Sequence, residues 1–135
     1  MILDELEISI AKKDRSVNLR VNAAFNEILP ILKTAFLMGG SPGVVVTAGR
    51  DGVHSQKSAH YTGNALDLRH RDLQMDKTMF GMRLVKALNF LAGVNSDWYL
   101  VLEVDHYHLE RRNKGEAPNV KGYHAGQFFY TQGSA

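Results

Sequence analysis

Six histidines, His54, His60, His70, His106, His108 and His124, stand in a chain that has no cysteine. Disulfides, thiolate nucleophiles and cysteine metal sites are therefore excluded, and any metal must be held by His, Asp or Glu. In the segment Ser58-Ala59-His60-Tyr61-Thr62-Gly63-Asn64-Ala65-Leu66-Asp67, a His and an Asp flank a glycine-containing turn. Such a turn can return a loop His beside an Asp on the following strand. An imidazole nitrogen and a carboxylate oxygen are both zinc donors at about 2.0–2.2 Å. Taken alone, such a pair is usually a surface hydrogen bond. A second segment, Glu103-Val104-Asp105-His106-Tyr107-His108, closes an apolar run with several ionisable groups. Strand alternation places His106 and His108 on one face. Together the two segments offer three donors from distant parts of the chain. Three protein ligands with one open position is the pattern of a catalytic zinc site, whereas structural zinc sites are normally closed by four.

These side chains need elements to position them. From Val17 to Met38 the apolar residues Val21, Phe25, Ile28, Leu29, Leu32 and Phe36 recur at helical steps. Pro30 interrupts that run, giving a kink or two helices with proline in the first turn of the second. Gly39-Gly40-Ser41-Pro42-Gly43 then ends it. Val44–Thr47 reads as a short buried strand, Ala48–Ser58 as a polar turn-rich stretch, and Ala65–Leu68 as a second strand. Met79–Leu91 is helical by spacing and stops at Gly93. Trp98–Val104 is the most strand-like segment and runs directly into Asp105–His108; Arg111 onward carries no clear pattern. Helices and strands mix without regular alternation, which predicts an α+β fold with an antiparallel sheet.

The string Ser58-x-His60-x-x-Gly63-x-Ala65-x-Asp67 resembles the S-x-H-x-x-G-x-A-x-D signature of the M15 peptidases, which share the hedgehog/DD-peptidase metal fold. Asp105-His106-Tyr107-His108, with Glu110 following, is similar to the family's second signature, an acid three residues before the third ligand. Arg50, in Thr47-Ala48-Gly49-Arg50, is similar to its strand-plus-arginine element. The resemblance covers roughly residues 20–112. It implies a small antiparallel sheet flanked by helices and a Zn2+ ion held by His60, Asp67 and His108. Asp105 would be the general base for the attacking water, Arg50 would stabilise the developing oxyanion, and His106 would support the intermediate. A competing assignment takes Glu103 as base and His106 as third ligand, since that pair has the same spacing. Choosing Asp105 with His108 requires a twist or bulge in the strand, because strict alternation would put them on opposite faces.

The chain of 135 residues, 44% hydrophobic and 22% charged, fits one globular domain with a core over about 17–112 and a C-terminal extension. No segment approaches the roughly 18 apolar residues of a membrane span, and the N-terminus lacks the pattern of a secretory signal. The net charge of +2 is ordinary for a soluble protein. A nucleic-acid-binding reading would rest on the basic pI and the cluster Arg111-Arg112-Asn113-Lys114 alone. The expected partner is instead a peptidoglycan stem peptide, acted on by a monomeric enzyme, with no nucleic acid and no membrane. Cytoplasmic synthesis and action at the bacterial wall, as in a phage or prophage endolysin, follow from the resemblance; a metal-stabilised binding domain without turnover is the alternative. Of the remaining residues, His54 reads as a polar loop residue, His70 as part of a solvated basic turn and His124 as tail. Trp98 and the methionines from Met75 to Met82 read as core or helix packing.

Overall fold

Pro30 divides the N-terminal apolar segment as its ring requires. In the computed structural model, which describes residues 11–50, 59–116 and 128–130, helix α1 spans Ala24–Glu27 and helix α2 spans Leu29–Met38, with the proline in its first turn. Gly39 caps α2. The helix starts later than the spacing predicts, because Val17, Leu19 and Val21 are buried in alternation with exposed Ser16, Asn18 and Arg20. That period of two belongs to an extended segment. The Asn22 side chain ends it by accepting the Ala24 N–H at 2.9 Å.

The strands are β1 (Ala11–Lys12), β2 (Val45–Ala48), β3 (Ala65–Arg69), β4 (Ser96–Leu102), β5 (His106–Asn113) and β6 (Phe128–Tyr130). They form one sheet in the order β1-β2-β3-β5-β4-β6. The four central strands are antiparallel, as anticipated, while the edge strands β1 and β6 pair in parallel. The expectation that Trp98–Val104 continues into His108 is corrected. β4 stops at Leu102, Glu103–Asp105 make a turn, and β5 begins at His106, the hairpin being closed by Glu103 N–H donating to the His106 carbonyl at 2.9 Å. Asp105 therefore lies outside the strand, and no bulge is needed between it and His108. β5 also runs to Asn113, into the basic cluster that showed no strand pattern.

Helix α3 spans Lys77–Ala92, and the Asp76 carboxylate caps it by accepting the Met79 N–H at 2.8 Å. Phe25 meets Trp98 edge to face at 5.3 Å between centroids, Phe36 meets Phe80 at 4.9 Å, and Phe80 lies against Tyr107. Leu66, Leu68, Leu100, Leu102, Tyr107 and Leu109 join this core. Each fully buried side chain of this size contributes about 1.5–3 kcal/mol. Tyr107 is further tied by its hydroxyl, which donates to the Lys77 carbonyl. Met79 and Met82 are exposed rather than in the core, whereas Trp98 is fully enclosed. The Asn89 side chain accepts the Trp98 N–H and donates to the Trp98 carbonyl, both at 2.9 Å, fixing α3 to the start of β4.

The extended segment 17–22 passes close to two glycines. A Cβ on Gly49 would sit 2.0 Å from the Asn18 carbonyl oxygen, so no side chain fits there. Gly63 has φ +75° and a Cβ would lie 3.1 Å from the Arg20 carbonyl oxygen; its own carbonyl accepts the Asn22 N–H at 2.7 Å. Gly63→Ala should therefore cost about 1–2 kcal/mol, the penalty for a left-handed L-residue. Urea unfolding checks this as a lower midpoint at unchanged slope.

Candidate metal centre

Register carries two donors to one point. Asp67 on β3 lies directly across from His108 on β5, and alternation turns both away from the face that holds Leu66, Leu68, Tyr107 and Leu109. β2 contributes the third side of the site. A bulge between Val46 and Ala48 brings Ala48 opposite Asp67 and leaves Gly49 at the rim. His60 arrives on a 3-10 turn, Ala59–Thr62, which is closed by Gly63 N–H to the His60 carbonyl and Asn64 N–H to the Ala59 carbonyl. The left-handed Gly63 then turns the chain into β3. The turn thus returns His60 beside Asp67, as the spacing predicts.

His60 Nε2 is 3.0 Å from Asp67 Oδ1 and 3.1 Å from His108 Nδ1, and His108 Nδ1 is 3.4 Å from Asp67 Oδ1. Donors about 2.0–2.2 Å from a tetrahedral ion are about 3.3–3.6 Å apart, so the three need move outward by only a few tenths of an ångström. All three residues are largely shielded from solvent. Among the described residues they form the one group of His, Asp and Glu side chains close enough to hold a metal ion.

The far side of each imidazole decides what faces inward. His60 Nδ1 is 2.6 Å from the Gly49 carbonyl oxygen, which only accepts, so Nδ1 carries the hydrogen. His108 Nε2 is 3.0 Å from Glu110 Oε1, a carboxylate kept ionised by His108 and by Arg112, whose Nε donates to Oε2 at 2.6 Å. With both outer nitrogens protonated, neutral rings present two lone pairs to each other and to the Asp67 carboxylate. Lone pairs at 3.1 Å repel unless a proton or a cation sits among them. This is the outer support that metal-ligating histidines use, a carbonyl or carboxylate fixing the tautomer. The residues fit a divalent ion with a preference for nitrogen and oxygen donors.

Without a metal, the proton takes that place. Burial disfavours a charged His108, but its hydrogen bonds to Asp67 and Glu110 outweigh this and raise its pKa to about 9. Burial would likewise raise Asp67, yet hydrogen bonds from His108 and His60 hold its carboxyl far below the usual carboxylate range.

The rim is built by the β4–β5 turn. His106 Nε2 lies 2.7 Å from Glu103 Oε2 and 3.5 Å from Asp67 Oδ2, while its Nδ1 lies 2.5 Å from Asp105 Oδ1. His106 therefore sits beside the three donors rather than among them, with a carboxylate on either side. Glu103 is half-buried; the Asp105 side chain is 85% exposed. Burial lowers the His106 pKa, and the contacts with Glu103, Asp67 and Asp105 reverse that and raise it to about 9. Arg50 follows Gly49 directly; its side chain is exposed and its N–H donates to the Asn18 carbonyl.

His70 corrects the expectation of a solvated turn. It is 4% exposed, packs edge to face on Tyr107 at 5.3 Å, and its Nε2 lies 2.9 Å from the Glu103 carbonyl. Burial depresses its pKa, so it is a neutral donor that holds the turn in place. The spacing gave no sign of this, because its anchor is 33 positions away. His54 and His124 lie outside the described residues. In comparisons with known proteins, no family model, no curated protein and no solved structure matches the chain.

His60→Ala and Asp67→Ala should each abolish stoichiometric binding of Zn2+, read by metal analysis after dialysis, while Arg50→Ala should retain it. For the metal-free protein, the raised pKa of His108 stabilises the fold fully below its unfolded value near 6.5, and that stability is lost as pH rises through about 9. The depressed Asp67 acts oppositely, its contribution being lost as pH falls below the ordinary carboxylate range. Thermal melts should therefore show Tm falling between pH 6.5 and 9 without metal, and much less with Zn2+ bound.

Proposed function

We propose that this protein is a zinc-dependent peptidase of the M15 kind that hydrolyses peptide bonds in peptidoglycan stem peptides. The observation that carries this reading is the set of three donors, His60, Asp67 and His108, with both imidazole tautomers fixed from outside. A zinc ion held by His60, Asp67 and His108 would supply carbonyl polarisation and a nucleophilic water at neutral pH. The chain's own groups complete the chemistry. Asp105 takes the proton of the attacking water and returns it to the leaving amine. His106, held between Asp105 and Glu103 at the rim, would place positive charge near the carbonyl oxygen as charge develops there, and Arg50, just beyond β2, would add its own. Synthesis in the cytoplasm and release to the wall, as for a phage or prophage endolysin, suits such a substrate.

A second assignment of the base is favoured by one distance. Glu103 Oε2 touches His106 Nε2, the nitrogen that faces Asp67, whereas Asp105 touches the nitrogen on the other side. The choice of base is separate from the choice of ligand: His108 is in the group that could hold a metal ion whichever acid is the base.

The test is release of new amino termini from purified peptidoglycan, with and without chelator. The zinc-loaded protein should release them and chelation should stop it. Asp105→Ala should lower kcat by about 10²–10⁴-fold, the usual worth of a general base, while keeping the metal, and Glu103→Gln should cost less. The reverse order would move the base to Glu103. Absence of release from the zinc-loaded protein would reject the peptidase in favour of a metal-stabilised binding domain.

A further inference from the structure

Arg69 is a cation on the donor face that the proposed chemistry leaves unused. It lies two residues beyond Asp67 on β3 and directly across from His106 on β5. Its neighbour His70 turns to the core side against Tyr107, so alternation directs Arg69 to the side of Asp67, His106 and His108. Each carboxylate of the site already has its own partner. Asp67 faces the three histidines, Glu103 and Asp105 face His106, and Glu110 faces His108 and Arg112. Arg69 neutralises none of these. It is held instead by Asp72, in the segment after β3, whose single oxygen Oδ2 takes both Nε–H at 3.1 Å and Nη2–H at 2.8 Å.

That arrangement braces a guanidinium without saturating it. Five N–H groups are available, and among the described residues two are engaged. The side chain is 24% exposed, shielded enough to be positioned and open enough to receive a ligand. A planar fork with free N–H groups matches a carboxylate better than any other peptide group. The loop is anchored as well, since His70 reaches the Glu103 carbonyl.

We propose that Arg69 binds a free carboxylate of the substrate beside the scissile bond, making it a specificity-determining residue of the site. This rests on the peptidase reading. Stem peptides carry such a carboxylate in two places, at the chain terminus and as the α-carboxylate of a γ-linked glutamate. An (i, i+3) surface clip between Arg69 and Asp72 is the competing account, and such clips contribute little.

The experiment uses zinc-loaded full-length protein and synthetic stem peptides in which one carboxylate at a time is replaced by its carboxamide. Wild type should prefer the carboxylate form of one of the two positions, and that position identifies which carboxylate is read. Arg69→Met should raise KM for that form by about 10–100-fold, the worth of a charged hydrogen-bonded pair. It should leave kcat and the carboxamide reaction unchanged, and Arg69→Lys should recover part of the preference. Equal loss on both forms, or no wild-type preference at either position, overturns the proposal. Calorimetric binding of the same peptides reads Arg69 apart from turnover. If nothing is cleaved but the carboxylate form binds tighter and Arg69→Met removes the difference, the peptidase reading fails and the carboxylate site stands. If nothing is cleaved and the two forms bind alike, both fail.

Discussion

The pairing of β3 with β5 is the constraint on which the rest depends. Asp67 and His108 face each other only in the register observed, and the same register sends Leu66, Leu68, Tyr107 and Leu109 to the helices. A slip of one residue would reverse every side chain of a strand. It would bury a carboxylate or an imidazole against Phe80 and Trp98 and expose the leucines. The apolar core therefore enforces the geometry of the polar site. Helix packing, the Tyr107 hydroxyl and the hydrophobic faces of β3 and β5 specify where a metal ion can sit.

The polar face is arranged at some energetic risk. Three donors converge in a shielded place, and each is turned inward by a group behind it: the Gly49 carbonyl for His60, Glu110 for His108, and the sheet itself for Asp67. Such preorganisation leaves few ways to relieve repulsion from within. A cation is the simplest relief, and a proton is the alternative. Both bind the same point, which couples metal affinity to pH. Glycine at position 49 is central here. Its backbone passes so close to Asn18 that only a residue without a Cβ can present its carbonyl to His60.

Much of this was legible in the sequence. Gly63 between His60 and Asp67 announced a returning turn, and the β-branched and apolar runs marked the central strands. The choice between His106 and His108 was not legible, because it depends on where β4 ends. The run from Trp98 to Val104 carries no glycine or proline to mark a turn, so it reads as one strand. The turn exists because Glu103, Val104 and Asp105 lie beyond the end of the core and its closing hydrogen bond is backbone to backbone. Val17–Val21 misled for a related reason: a two-residue alternation shares Val21 with the helical pattern that follows. A residue whose anchor is distant in sequence, as His70 is anchored to the Glu103 carbonyl, leaves no local trace.

The Asn89 amide has a consequence beyond fastening α3 to β4. By taking both backbone groups of Trp98, it occupies the hydrogen-bonding edge of β4 next to Leu100–Leu102, the stretch with which β6 pairs. An uncovered sheet edge is a template for strands of other molecules. At Trp98 that template is closed by a side chain posing as a strand, which continues along β4 the cover that β6 gives Leu100–Leu102.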